Sequence, residues 1–350
     1  MTGRVRTGLI GCGKIGATHA AALRTLDEAE FVACSDVDEG RARAFAATYG
    51  VPRVFGDAAA LLGSGEVEAV LVCTPHPAHA PVVTAAAEAG VHVLCEKPIA
   101  IGLAEADRMV EAAERAGIAF GVIFQRRFWP AAQRIRAALD AGRLGRPTLG
   151  ECSVRIWRSP EYFASDPWRG TWASEGGGVL MNQAVHAIDL FQWFMGEAVE
   201  VFGRYATLRH GASIDVEDTA VATVAFAGGG LGVLQAASTF EPGFGFRVAV
   251  HGDSGGTLSV WENPEGTQGV NDVWTLPGEA AAREAWEAEE RGKPGFPRFH
   301  EVQIQDFLRG ILEGRPPAVT GAEARRSLEI ILGIYESSRT GKAVRLPLGR

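Results

Sequence analysis

Gly11-Cys12-Gly13-Lys14-Ile15-Gly16 directly follows the apolar run Val5–Ile10 and opens an alanine-rich stretch that continues to Leu26. A G-x-G-x-x-G set between a strand and a helix is a dinucleotide cradle. Its first glycine permits the tight turn, its second lets the backbone approach a pyrophosphate, and its third lets helix and strand pack closely. The helix N-terminus then favours the anion. In a chain with 44 glycines the spacing alone says little; its place between strand and helix gives it weight. Asp36 closes the next apolar run about twenty residues on, where a carboxylate takes a ribose 2′-hydroxyl and repels a 2′-phosphate. NAD is therefore the expected cofactor and NADP the alternative, with Arg41 and Arg43 read as solvated helix residues.

Outward from this loop, the apolar runs Phe31–Ser35, Ala69–Cys73, Val91–Cys95 and Ala119–Ile123 alternate with helical stretches at Glu39–Tyr49, Ala78–Ala89 and Ala104–Ala116. Continuous apolar strands separated by helices predict a parallel sheet covered on both faces, doubly wound by right-handed crossovers. The texture changes across Gly142–Pro147. Beyond it, β-type runs fall at Glu151–Trp157, Val199–Leu208, Thr219–Phe226, Leu231–Ser238, Arg247–Gly252 and Gly256–Val260, joined by glycine-rich turns such as Ala227–Gly230. One helix is expected over Val179–Phe194 and two more over Phe299–Glu313 and Ala322–Arg339. The charged stretch Ala281–Arg298, broken by Pro294 and Pro297, reads as a surface excursion. The fold class is thus α/β. Residues 1–124 form a Rossmann domain, and residues 125–350 form an α+β domain with a large open, mostly antiparallel sheet, its C-terminal segment free to pack back on the first.

A formal net charge of −8 argues against phosphate-backbone binding, so no nucleic acid is expected. No apolar run is long enough to span a bilayer, and the chain reaches its first strand without a signal-peptide pattern. Cys12, Cys34, Cys73, Cys95 and Cys152 show no metal-like spacing and read as small buried residues in a reducing compartment. The expected setting is the cytoplasm, and no metal is expected.

Three further segments carry a resemblance: Cys73-Thr74-Pro75-His76-Pro77-Ala78-His79, Glu96-Lys97-Pro98, and the run from Gly176-Gly177-Gly178 through Asn182-Gln183-Ala184-Val185-His186 to Asp189. In this order and spacing they resemble the Gfo/Idh/MocA oxidoreductases, the family of glucose–fructose oxidoreductase and inositol dehydrogenase. Phe124–Pro130, Trp168-Arg169 and the closing Ala322–Pro347 stretch also look like family features, so the resemblance runs nearly end to end. It implies a nicotinamide-dependent enzyme acting on a sugar, sugar derivative or cyclitol. It further implies a cis Lys97–Pro98 bond and association of copies through the open sheet as dimer or tetramer. Cofactor contacts are expected from Gly11, Cys12, Gly13, Lys14, Ile15, Gly16, Asp36, Thr74, Pro75, His76, His79, Glu96, Lys97 and Gln125, with Trp168 and Arg169 reaching it from the second domain. Strand positions agree, since ligands of an open α/β sheet bind beyond the carboxyl ends of the strands. Pro98 restricts the residue before it and can hold Lys97 over such a site.

Removing hydride from a secondary alcohol requires loss of the hydroxyl proton, so a general base must lie within reach. His186 is the natural candidate, because imidazole as a group titrates near neutral pH, and it shares a helical face with Asn182 and Asp189. The resemblance pairs it with Lys97, which stabilises developing alkoxide charge. Relatives resembling inositol dehydrogenase carry aspartate where this chain has Asn182. An amide cannot relay a proton, so Asn182 is read as a hydrogen bonder and the acid–base load falls on Lys97 and His186. Arg127, Arg155, Tyr162, Trp172 and Asp189 complete the expected substrate contacts, because aromatic faces and planar guanidinium donors suit polyhydroxylated rings. Two other readings stay open: a glycosidase that oxidises its sugar transiently on retained NAD, and a non-catalytic NAD-binding regulator.

Overall fold

The computed structural model describes residues 3–348 and divides into two compact units. The first takes the chain through Gln125 together with Pro297–Arg325; the second takes Arg126–Phe296 and the chain from Arg326 on.

The first unit runs β1 (Val5–Ile10), α1 (Lys14–Leu23), β2 (Ala29–Ser35), α2 (Glu39–Tyr49), β3 (Arg53–Phe55), α3 (Ala58–Leu62), β4 (Ala69–Val72), α4 (His79–Glu88), β5 (His92–Cys95), α5 (Leu103–Ala116) and β6 (Phe120–Val122). The strands pair in parallel in the order β3-β2-β1-β4-β5-β6. The order reverses between β1 and β4, and such a switch point is where an open sheet binds its ligand. All four residues of β4 are buried, as the continuous apolar run requires. Asp38 caps α2 by accepting the Arg41 amide. β3 and α3 are additions to the sequence reading: Arg53 and Val54 are exposed, so an edge strand of 3 residues leaves no apolar run to see.

The second unit begins with α6 (Pro130–Asp140), so the units part at Gln125 and not at the change of texture across Gly142–Pro147. It continues with β7 (Pro147–Arg155), α7 (Pro160–Ala164), α8 (Trp172–Glu175), a π turn at Leu180–Ala184, α9 (Val185–Met195), β8 (Ala198–Ala206), β9 (Thr219–Phe226), β10 (Leu231–Ala237), β11 (Gly245–Gly252), β12 (Thr257–Glu262) and α10 (Ala280–Glu290). Its seven-stranded sheet has the order β12-β11-β7-β10-β9-β8-β13, where β13 is Val344–Arg345. Only β7 and β10 pair in parallel. One face of this sheet takes α9. A Cβ on Gly150 would lie 2.6 Å from the Phe191 ring, and one on Gly232 would lie 2.3 Å from it, so two glycines on adjacent strands make the groove for that aromatic. The stretch Ala281–Arg298, expected as a surface excursion, carries α10, of which only Glu290 is buried.

α11 (Arg298–Glu313) belongs to the first unit; residues 125–350 were expected as one domain whose C-terminal segment was free to pack back on the first. Ile304, Phe307 and Leu308 join the core formed by β1, β2 and α1, each contributing roughly 1.5–3 kcal/mol by burial. Gln303 adds polar closure, its amide donating to Val122 O at 2.8 Å while its oxygen accepts the Phe124 amide at 3.0 Å. α12 (Gly321–Thr340) follows. Among the described residues no helix is long and apolar enough to cross a membrane, and all five cysteines are buried without a disulfide.

Candidate active site

In the first unit the glycine loop is built by close approach. Gly11 has φ +100°, and a Cβ there would lie 2.7 Å from the backbone C and O of Cys73. A Cβ on Gly16 would lie 2.4 Å from Gly11 O. Gly13, the N-cap of α1, offers no side chain to the helix, and nothing lies within 4 Å of where its Cβ would stand. Asp36, buried, ties loop to strand: its carboxylate accepts the Cys12 amide at 2.9 Å and the Asp38 amide at 2.9 Å. The Arg41 guanidinium lies 3.6 Å from it, so Arg41 bridges Asp36 and Asp38 and is not simply solvated. Thr74 Oγ1 and Gln125 Oε1 are buried with no partner among the described residues. An open helix N-terminus, a fixed ribose-type carboxylate and two orphaned polar atoms at strand ends fit a nicotinamide dinucleotide.

Beyond β5, the Lys97–Pro98 bond is cis. Glu96 lies beneath Lys97 and is buried. One of its oxygens accepts the Lys97 amide at 3.1 Å, and the other sits 2.7 Å from His19 Nε2 on α1. His300 of α11 meets His19 edge to face at 5.8 Å. Burial alone would raise Glu96, but the hydrogen bond from His19 and the nearby His300 and Lys97 charges hold it down at about 2. Burial pushes His300 down to about 4 against the pull of Glu96. Glu96 therefore anchors Lys97 as a fixed anion, with a protein partner on each oxygen. His79, expected on the cofactor, is fully buried with Nδ1 2.9 Å from Pro98 O and Nε2 3.0 Å from Thr74 O. Each ring nitrogen faces a carbonyl oxygen, and the neutral ring that burial favours donates to only one of them, so His79 packs the Lys97-Pro98 turn against the end of β4. Pro75 precedes a 3-10 turn whose His76 ring packs 5.9 Å from His79.

In the second unit, Glu217 sits at the start of the segment carrying Asn182 and His186. Its carboxylate accepts the Gly178 amide at 2.7 Å, the Leu180 amide at 2.9 Å and the Tyr335 hydroxyl at 2.9 Å. A Cβ on Gly178 would fall 1.8 Å from Glu217 O, which is why the third glycine of Gly176-Gly177-Gly178 is needed. The expected continuous helix is replaced over Leu180–Ala184 by a π turn, which re-aims Asn182 relative to His186. The Asn182 amide donates to Glu175, itself buried, and to the Tyr162 hydroxyl at 3.4 Å. His186 is buried in the first turn of α9.

Burial raises Glu217 to about 7, against the pull of its three donors. A carboxyl raised from 4.5 adds stability that is complete below 4.5 and lost as pH rises through about 7, on the order of 3 kcal/mol in all. Glu217→Gln, which cannot ionise, should remove that slope. Urea midpoints at pH 5 and 7.5 check this, and wild type and variant changing in parallel would sink it.

Four residues expected to contact substrate have partners within the protein. Arg127 and Asp189 form a buried bidentate pair, Nε to Oδ2 and Nη2 to Oδ1 both at 2.7 Å, with Ser327 Oγ donating to Asp189 at 3.1 Å. Arg155 lies on the strand face of Leu149 and Glu151, opposite the one that meets α9, with its guanidinium 5.6 Å from the Phe244 ring. Trp172 donates its indole N–H to Asp215 O at 2.8 Å and packs on Tyr335. Trp168 and Arg169 stack at 4.6 Å, Arg169 also pairing with Asp166. The sequence reading missed His19, His300, Glu175 and Glu217. Glu175, directly before three glycines, had a positional signal; the others show only once burial is known.

Residues 5–124 match the model of an oxidoreductase family with an NAD-binding Rossmann fold, and residues 132–257 match the GFO/IDH/MocA C-terminal domain. Myo-inositol 2-dehydrogenase of Thermotoga maritima is 30% identical over 346 residues, 98% of each chain. The chain belongs to the Gfo/Idh/MocA oxidoreductases. D-apiose dehydrogenase of Paraburkholderia graminis is likewise 30% identical, over 98% of this chain and 90% of its own. Among solved structures, the WlbA dehydrogenase from Bordetella pertussis, in complex with NADH and UDP-GlcNAcA, superposes with a TM-score of 0.90 at 30% identity, covering 99% of this chain and 98% of that one. This family member is a nicotinamide-dependent oxidoreductase with NAD as its cofactor.

Proposed function

We propose that the enzyme interconverts a secondary hydroxyl and a keto group on a sugar, sugar derivative or cyclitol, with His186 and Lys97 as its acid–base pair and Asn182 as a substrate hydrogen bonder. The observation that carries this is the fixed setting of both residues: Lys97 is anchored by Glu96 and braced through His79, and His186 rides on a helix pinned by Glu217. NAD, when bound, supplies the two-electron oxidant. His186 takes the hydroxyl proton as the alcohol is oxidised and returns it in reduction. The Lys97 ammonium stabilises negative charge as it develops on the substrate. Glu175, by accepting from the Asn182 amide nitrogen, sets which way that amide faces. The cofactor is held by the Gly11–Gly16 loop with Asp36, Thr74 and Gln125, and by Trp168 and Arg169.

Two copies or more associate through the open sheet face, where Leu149, Phe202, Val221, Leu231 and Val233 expose apolar side chains in neighbouring strands. Five unpaired buried thiols suit a cytoplasmic setting. The test of the cofactor half is Asp36→Ala. Its KM for NAD should rise about tenfold, the scale of a lost charge-assisted hydrogen bond, and its preference over NADP should narrow. Equal NAD kinetics in wild type and variant would remove Asp36 from the ribose.

A further inference from the structure

Tyr162 stands in the short helix α7 with two guanidinium groups over its ring, Arg169 at 4.3 Å and Arg158 at 5.1 Å from the ring centroid. Three N–H donors converge on its phenolic oxygen: Arg169 Nη1, Gln183 Nε2 at 3.1 Å and Asn182 Nδ2 at 3.4 Å. A phenolic oxygen has two lone pairs and one hydrogen. Its accepting capacity is therefore filled, and the hydrogen must turn away from the three donors. Among the described residues no acceptor takes it. The Tyr162 hydroxyl is thus held as an acceptor by residues adjoining the reactive helix, with its own hydrogen left to give.

We propose that Tyr162 is a specificity-determining hydrogen-bond donor to the substrate, and that it reads an oxygen with no hydrogen of its own. The inference rests on the proposed polyol chemistry at Asn182 and His186. Because its lone pairs are filled, Tyr162 cannot accept from a hydroxyl, which would leave that hydroxyl's hydrogen to find another partner. A ring, carbonyl or carboxylate oxygen meets no such conflict. The two guanidinium groups do not by themselves make a phosphate site. Arg158 forms a two-pronged pair with Glu265, and Arg169 pairs with Asp166 at 3.2 Å, so each positive charge is already balanced. Their planes fix the tyrosine ring.

The experiment titrates NADH-loaded wild type, Tyr162→Phe and Gln183→Leu by calorimetry with 1,5-anhydro-D-glucitol, D-glucuronate and myo-inositol, alongside NAD reduction by the same compounds. Tyr162→Phe should weaken anhydroglucitol or glucuronate about tenfold, the scale of one lost hydrogen bond. Gln183→Leu should weaken the same compound less, while NAD affinity stays at the wild-type value in both variants. Loss confined to anhydroglucitol identifies a ring oxygen as the ligand, and loss confined to glucuronate a carboxylate. Equal affinities in wild type and Tyr162→Phe, an equal loss for myo-inositol, a fall in thermal midpoint that accounts for the loss, or no binding of any compound would each overturn the proposal. Binding that depends on Tyr162 without NAD reduction would sink the oxidoreductase chemistry proposed above and leave this inference standing. NAD reduction with unchanged affinity in Tyr162→Phe would do the reverse.

Discussion

Lys97→Ala is expected to lower turnover roughly 10²–10⁴-fold, the range for loss of a positioned acid–base or charge-stabilising group, while NAD affinity scarcely moves. The substitution should act cleanly because the main chain at this position is held from outside the side chain. Glu96 accepts the Lys97 amide, His19 holds Glu96, and His79 meets Pro98 O. Deleting the ammonium leaves these contacts in place. Steady-state kcat with a separate NAD titration checks the result. Unchanged turnover would remove Lys97 from the chemistry, and a parallel loss of NAD affinity would make it a cofactor residue instead.

Arg127→Met is expected to destabilise the protein by about 3–5 kcal/mol, because it leaves the Asp189 carboxylate buried with its cation gone. Both side chains of the pair are nearly inaccessible, 3% and 1% exposed, and the Arg127 guanidinium also lies 5.1 Å from the Trp193 ring. Arg127→Met combined with Asp189→Leu should recover much of the loss, since replacing both members of a buried pair by apolar groups is often near neutral. Urea denaturation of the two single variants and the double variant measures this. A single-variant loss under about 1 kcal/mol would contradict it, and so would an intact fold with a raised substrate KM, which would return Arg127 to the substrate.

The contrast between these two residues shows what a sequence can and cannot carry. The glycine loop, Asp36, Thr74 and Lys97 were legible because each sits at a strand end, where position along the chain fixes position in the fold. Arg127 and Asp189 are 62 residues apart, and nothing in their spacing says that they meet. Arg155 and Trp172 lie close in sequence to reactive segments, but strand alternation turns one to the opposite face and Asp215 engages the other. For α11 the amphipathic pattern shows that one face is buried and not what buries it, so its return to the first unit was open. The edge strand β3 was invisible for want of an apolar run, and α10 was hidden by its charges and the prolines that follow. The π turn has no compositional mark at all, although it alters how Asn182 stands to His186.

Nicotinamide absorbance, followed while the purified protein is mixed with NAD or NADP and hexoses, pentoses, anhydrosugars, sugar phosphates, nucleotide sugars or inositols, decides whether this enzyme oxidises a polyol. Reduction of NAD in preference to NADP by one polyol class is the predicted result. Silence across the panel, with NAD retained on the purified protein and an aglycone released from a glycoside, would contradict it and assign the same residues to a transient oxidation within a hydrolase.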